Sequence, residues 1–302
     1  MALSTEASDL EVLYGQTPTP TETPSLIEES MKAFKELLAE EEEEEEESNW
    51  RLAEERCPDE CTDDFKLIFL RCEVYRVELA VKRYIKYWDN RLELFGPDNA
   101  FRSMLDIDPN GAMRDNWKEL ELGYGRVMPP DKCHDPEGRA IVFLDGIKLD
   151  KARNMPEISL EGLARATWYK VHVGLRSESV QRKGFIIVHR PMTTVRSLRK
   201  SPAKLVSKSI KGAIPIRVAA IHVLDPPVMV NVFIKIARAF VGKTMQERFH
   251  VHNFGSLEKN LESLSKFGIG KKQLPVELGG DFEFEEIDSA TDSEYASVMD
   301  CK

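Results

Sequence analysis

Hydrophobic positions follow two periods along this chain, and the change from one to the other divides it. From Asp63 to Trp88 apolar residues return every three or four positions: Phe65, Ile68, Phe69 and Cys72, then Val77, Ala80, Val81, Tyr84, Ile85 and Trp88. That spacing predicts amphipathic helices. Asp106 to Trp117 reads as a loop leading into a further helix. Beyond residue 120, strand-like and helix-like runs alternate. Pro136 and Gly138 punctuate a turn before the strand Ala140 to Asp145, and 158–173 has helical apolar spacing. Lys183-Gly184 turns into the apolar run Phe185 to His189. Ser201-Pro202 opens a basic helix with Lys204, Lys208 and Lys211. A β-rich run from Ile214 to Leu224 stops at Asp225-Pro226-Pro227. Strands alternating with helices predict an α/β layer fold with a mostly parallel sheet, preceded by a small all-helical bundle.

The stretch after the twin prolines, Val228 to Val241, is the most informative. Asn231, Lys235 and Arg238 sit at i, i+4 and i+7, a thin polar stripe on an otherwise apolar helix. Such a helix must cover apolar surface. A second strand, Arg248 to Asn253, and a short helix, Ser256 to Leu264, complete the unit.

Charge sharpens the division. Residues 1–64 hold 21 acidic and 4 basic side chains, residues 65–281 hold 24 and 37, and residues 282–302 hold 7 and 1. A basic body between acidic tails implies a polyanionic partner such as an anionic membrane. Thr, Pro, Ser and Glu dominate residues 1–25, which predicts disorder, with a helix capped by Ser25 beyond. Glu40 to Glu47 reads as a solvated spacer, or as a tail that competes with membrane for the basic body. The expected boundaries are a disordered acidic tail with a short helix over 1–62, a helical bundle over 63–120, an α/β domain over 121–281 and an acidic tail over 282–302.

Catalytic chemistry is not signalled. No G-x-S-x-G elbow is present, and Gly268-Ile-Gly-Lys271 lacks the upstream glycine and the Ser/Thr of a P-loop. His250 and His252 share a strand face without a third ligand, so they and His222 read as structural. Five scattered cysteines fit a reduced protein without a zinc site or disulfide framework. No apolar run spans a bilayer, and Met1 to Leu10 lacks signal-peptide character. The lysines at 200, 204, 208 and 211 lack interleaved aromatics, which argues against nucleic acid. The expectation is no enzyme, no metal and no cofactor.

The flanks of the apolar helix carry a resemblance. Ile214-Pro-Ile-Arg-Val-x-x-Ile-His-Val-Leu-Asp-Pro-Pro227, then Glu247-Arg-Phe-His-Val-His252, then Leu274-Pro-x-Glu-Leu-Gly-Gly280, resemble the CRAL-TRIO family, in its tocopherol transfer protein and cellular retinaldehyde-binding protein branch. The resemblance implies a monomeric carrier that holds a small hydrophobic lipid in an internal cavity closed by a lid helix. It implies a cytoplasmic location with transient attachment to membranes, endosomal ones included. Pocket positions implied by the family fall on Ala164, Thr167, Val171, Phe185, Ile187, His189, Ile214, Ile216 and Ile221. On the lid they fall on Val230, Phe233 and Ala237. A phosphoinositide-binding rim falls on Arg217, Lys243 and Arg248, with Ala219 where a further cation would stand. A lipid-gated adaptor at phosphoinositide membranes is the alternative function.

Overall fold

The computed structural model describes residues 14–44, 48–106, 111–152, 154–193, 203–232 and 246–284. Four helices open it: α1 (Pro24–Glu44), α2 (Asn49–Arg56), α3 (Asp63–Cys72) and α4 (Val77–Phe95). The short α5 (Trp117–Leu122) leads into the sheet region. There follow β1 (Gly125–Val127), β2 (Ala140–Asp145), α6 (Gly146–Ala152), α7 (Leu160–Leu175), α8 (Glu178–Lys183) and β3 (Phe185–Arg190). Then come α9 (Ala203–Ile210), β4 (Val218–Leu224), β5 (Phe249–His252) and α10 (Leu257–Ser265).

The sheet has the order β1-β2-β3-β4-β5. Strands β2 to β5 run parallel, and the three-residue β1 lies antiparallel on the edge. The α/β class and the mostly parallel sheet are as the hydrophobic pattern predicts. Helix starts obey side-chain capping: Thr62 accepts from the Phe65 amide, Ser159 from Gly162 and Ser256 from Lys259.

Helix α4 is the axis of the bundle, with α1, α2 and α3 packed around it. Its Tyr84, Tyr87 and Trp88 are fully buried and meet Phe34, Phe65 and Phe69 in mostly edge-to-face contacts. The bundle and the sheet region share one core. Tyr87 Oη donates to His172 Nε2 of α7 at 2.8 Å and accepts from Arg91 at 3.0 Å, while His172 Nδ1 donates to the Trp168 carbonyl. Burial pushes His172 down to about 3, so this buried ring is neutral.

Three expectations need correction. The bundle begins at Pro24, not at residue 63. Its first helix is capped by Thr23, whose hydroxyl accepts from Leu26, while Ser25 donates to Glu29. Residues 14–23, expected to be disordered, lie against the body as an extended strap. Tyr14 is fully buried there, stacked on Phe267 and edge-on to His222. Finally, the run from Ile214 is not all strand: β4 begins at Val218, because Ile214 is drawn into the bundle core and its carbonyl accepts from Arg83.

Candidate functional site

In-register parallel strands place aligned residues on one face, and here the two faces differ. On the face away from α7, Phe143, Val188 and His222 align, and all are buried. They pack with Tyr14, Leu264, Ile269 and Leu274 in a closed layer. His222 Nδ1 lies 2.9 Å from His252 Nε2, and His252 Nδ1 lies 2.9 Å from Ser263 Oγ. No His, Cys, Asp or Glu group among the described residues has a metal-holding arrangement.

The face toward α7 closes at one end only. There Ala140 and Phe185 are buried, and the Phe185 ring fits against Gly174, where a β-carbon would come within 2.6 Å of it. One row further along, Val142, Ile187, Ile221 and Phe249 align across all four parallel strands, and each is only half-buried. In the next row Leu144, His189 and Val251 are half-buried as well, around a buried Val223. Inner strands of a parallel sheet ordinarily bury both faces. Of these residues, Ile187 and Ile221 lie on the inner strands β3 and β4 and stay half-buried without joining a core cluster of the described residues, whereas Val142 and Leu144 pack partly on neighbouring clusters and Phe249 and Val251 lie on the edge strand β5.

The polar group in that wall is His189. Its Nε2 is buried and has no hydrogen-bond partner among the described residues. Burial lowers its pKa to about 4, against an opposing pull from Asp145, so the ring is neutral near pH 7. Asp145 itself is held by a two-pronged pair with Arg190, at 3.0 and 2.6 Å. A neutral imidazole with an unused nitrogen among Val, Ile and Leu can give or take one hydrogen bond with a guest.

Helix α7 lies on this side of the sheet, its Gly174 against the Phe185 ring. Ala164 is buried, Val171 nearly so, and Thr167 is half-buried with its hydroxyl committed to the Leu163 carbonyl at 2.9 Å. Phe185, Ile187 and His189 share one face, as the strand period requires. Ile221 joins them. Ile214 lies before β4, fully buried in the same core cluster as Ala164, Val171 and Phe185, with Ile216 packed on it. Four further wall residues, Val142, Leu144, Phe249 and Val251, were missed by the sequence pattern; they occupy alternate positions of neighbouring strands. Strand order and register, which no local signal gives, were needed to find them.

After Pro227 a helical turn begins, with the Asn231 amide donating to the Pro227 carbonyl. Val230 is buried, whereas Val228 is 82% exposed and Met229 55%. Phe233, Lys235, Ala237, Arg238 and Lys243 lie outside the described residues. Asp225 anchors the start of this turn from a left-handed backbone, φ 41°. Its amide donates to His252 O, and its carboxylate accepts from the Gly255 amide and the Asn260 side chain. A cleft of about 310 Å³ lies beside it, lined by Arg190, Leu224, Pro227 and Leu257 among others. Phe254 and Leu257 add exposed apolar surface at this end of the strands.

The two described arginines of the expected rim reach the strap. Arg248 donates to the Tyr14, Gly15 and Val218 carbonyls at 3.1–3.2 Å. Arg217 donates to Thr17 O and Thr19 Oγ1, both at 2.5 Å, and to Arg182 O at 2.8 Å. Ala219, where a further cation would stand, is fully buried.

No helix among the described residues is long and apolar enough to cross a membrane. Two curated relatives, each named alpha-tocopherol transfer protein-like, from Homo sapiens and Pongo abelii, are 25% identical over 317 residues; the match covers 96% of this chain and 82% of each relative. The crystal structure of Sfh5 aligns over 78% of this chain and 81% of its own, with a TM-score of 0.48 and 14% identity. Residues 131–280, from just before β2 to the end of the Leu-Pro-x-Glu-Leu-Gly-Gly segment, match the CRAL/TRIO domain. This part of the chain, residues 131–280, is a domain of the CRAL-TRIO family.

Proposed function

We propose that the space between α7 and the half-buried face of the sheet holds a small hydrophobic lipid, and that the protein carries it between membranes. The single observation that carries this reading is the pair of half-buried apolar residues Ile187 and Ile221 on the inner strands β3 and β4, with His189, unpartnered at Nε2 among the described residues, in the next row of the same face. Polar atoms are scarce in that wall, so the guest is largely hydrocarbon with one polar end for His189. A tocopherol- or retinoid-like molecule has this form, and the names of the relatives point the same way.

The apolar segment after Pro227 serves as the cover. Moving about five large apolar side chains into water costs roughly 1.5–3 kcal/mol each, on the order of 7–15 kcal/mol together as an upper bound. A bilayer gives the same side chains an apolar environment and removes most of that cost. Arg217, Lys243 and Arg248 form the rim that meets phosphoinositide headgroups, each cation near an anionic leaflet contributing about 1 kcal/mol. The membrane thereby selects the open state, because it binds that state better.

Ile187→Trp tests the cavity. If the space holds a guest, the indole fills it, lipid uptake is lost and thermal stability is retained. In a packed interior the same substitution destabilises by about 1–3 kcal/mol. Extraction of the purified protein followed by lipid mass spectrometry identifies the cargo, and protein that takes up no lipid overturns the reading.

A further inference from the structure

The strap turns back over the proposed headgroup rim, and its chemistry there is unusual. Arg248 makes three described hydrogen bonds, all to backbone carbonyl oxygens, two of them from the strap. Arg217 likewise spends its guanidinium on one carbonyl and one hydroxyl of the strap and on Arg182 O. These acceptors are neutral, and a guanidinium bonds an anionic oxygen roughly twice as strongly as a neutral one. The carboxylate next to Arg248 is that of Glu247, beside Gly15.

The strap is fastened on both sides of these contacts. At one end Tyr14 is fully buried against Phe267, His222 and His250, with the Arg139 guanidinium over its ring at 5.4 Å. Gln16 accepts from Arg139 Nε. Gly15 makes the bend between them with φ +57°, and a β-carbon there would sit 2.6 Å from Glu247 Oε2. At the other end the Glu22 carboxylate takes both Arg71 Nε and Nη2, at 2.8 and 2.9 Å, and Arg182 as well. Between these anchors the backbone of 15–19 runs across Arg248 and then Arg217.

From this geometry we infer that residues 14–22 are an intramolecular occupant of the anion site at Arg217 and Arg248, and that a phosphorylated headgroup binds there by displacing them. This rests on the rim reading given above and adds its regulation: the site is closed in the resting chain and opened by competition. A monoanion gains little by replacing several cooperating contacts. A headgroup with several phosphates can take both guanidiniums at once, which gives the site a preference for polyphosphates.

The test uses full-length protein and vesicles of phosphatidylcholine with or without phosphatidylinositol bisphosphate. Glu22→Gln and Tyr14→Ser loosen the strap at opposite ends, so a folding defect in one leaves the other to report. Each is expected to tighten binding to the phosphoinositide vesicles about tenfold. Hydrogen exchange of the backbone amides of 14–22 in the wild-type chain is expected to rise with those vesicles and not with phosphatidylcholine alone. Soluble inositol hexakisphosphate should raise it too, whereas inorganic phosphate at equal charge should not; a response to the soluble compound without one to the vesicles assigns the site to free polyphosphates. Arg217→Glu/Arg248→Glu in the Glu22→Gln background separates the two ideas. If that triple variant binds as well as Glu22→Gln, or if neither chain binds any probe, the rim reading fails and the inference falls with it. If the arginines matter but the strap stays protected while the wild-type chain is bound, the inference alone is overturned.

Discussion

Replacing His189 by leucine separates a guest-binding histidine from an ordinary core residue. The ring sits between Leu144 and Val223 in register, with Nε2 buried and without a partner among the described residues. An unsatisfied buried polar atom costs about 1–3 kcal/mol, so the leucine variant without lipid should be more stable at pH 7 by that order. The same change removes the polar contact that His189 would offer the proposed guest. Loss of a hydrogen bond of about 0.5–1.5 kcal/mol should weaken binding of a hydroxyl-bearing lipid some two- to twelvefold. A pH series gives a second, independent reading. With a folded value of about 4 against the ordinary 6.5, the folded state takes up fewer protons than the unfolded chain below pH 6.5. Stability therefore falls as pH drops through that window, and the decline ends near pH 4. For His189 the loss between pH 7 and pH 5 is about 2 kcal/mol, and the leucine variant should lack it. Urea melts at both pH values and displacement of a fluorescent tocopherol analogue measure all three effects. A variant that is less stable at pH 7, keeps the wild-type pH slope and binds the analogue unchanged would refute the assignment.

Other positions give sharper single outcomes. Met229→Asp paired with Val228→Asp should leave the melting temperature nearly unchanged, since both side chains are largely exposed, yet slow lipid transfer between liposomes; unaltered transfer would remove this turn from membrane contact. Gly174→Ala puts a β-carbon against the Phe185 ring at 2.6 Å and should cost about 1–3 kcal/mol in urea unfolding. Asp135→Ala strands the fully buried Arg139, which Asp135 holds at 2.6 Å and whose backbone amide it also receives; a loss of about 3–5 kcal/mol is expected.

The parts of the fold legible in the sequence are those set by local period. The Phe185 strand, the helix from Leu160 and the amphipathic Val77–Phe95 helix announce themselves because burial is imposed residue by residue along one element. The CRAL/TRIO assignment was legible for another reason, the survival of three short runs around Pro226-Pro227 and Gly279-Gly280. The parts that stayed hidden depend on distant partners. Tyr14 to Glu22 has the composition of a disordered tail, yet its acceptors are reached by Arg217 and Arg248 from about 200 residues away, and one tyrosine, one glycine and one glutamate suffice to pin it. Ile214 has the right β propensity for a strand, and Arg83 with the bundle core pulls it elsewhere. On the proposed pocket face, Ile187 and His189 follow from alternation alone, while Val142 and Phe249 become neighbours only through register.

Asp225 has a consequence for any opening of the chain. Its strained backbone and its ties to His252, Gly255 and Asn260 make the last residue before the twin prolines a fixed post, bolted to β5 and α10 together. With the two prolines stiffening the exit from that post, the direction in which Val228 to Val232 leave the sheet is set by β5 and α10, so a glycine at Pro227 would unfix that heading while leaving the post itself in place.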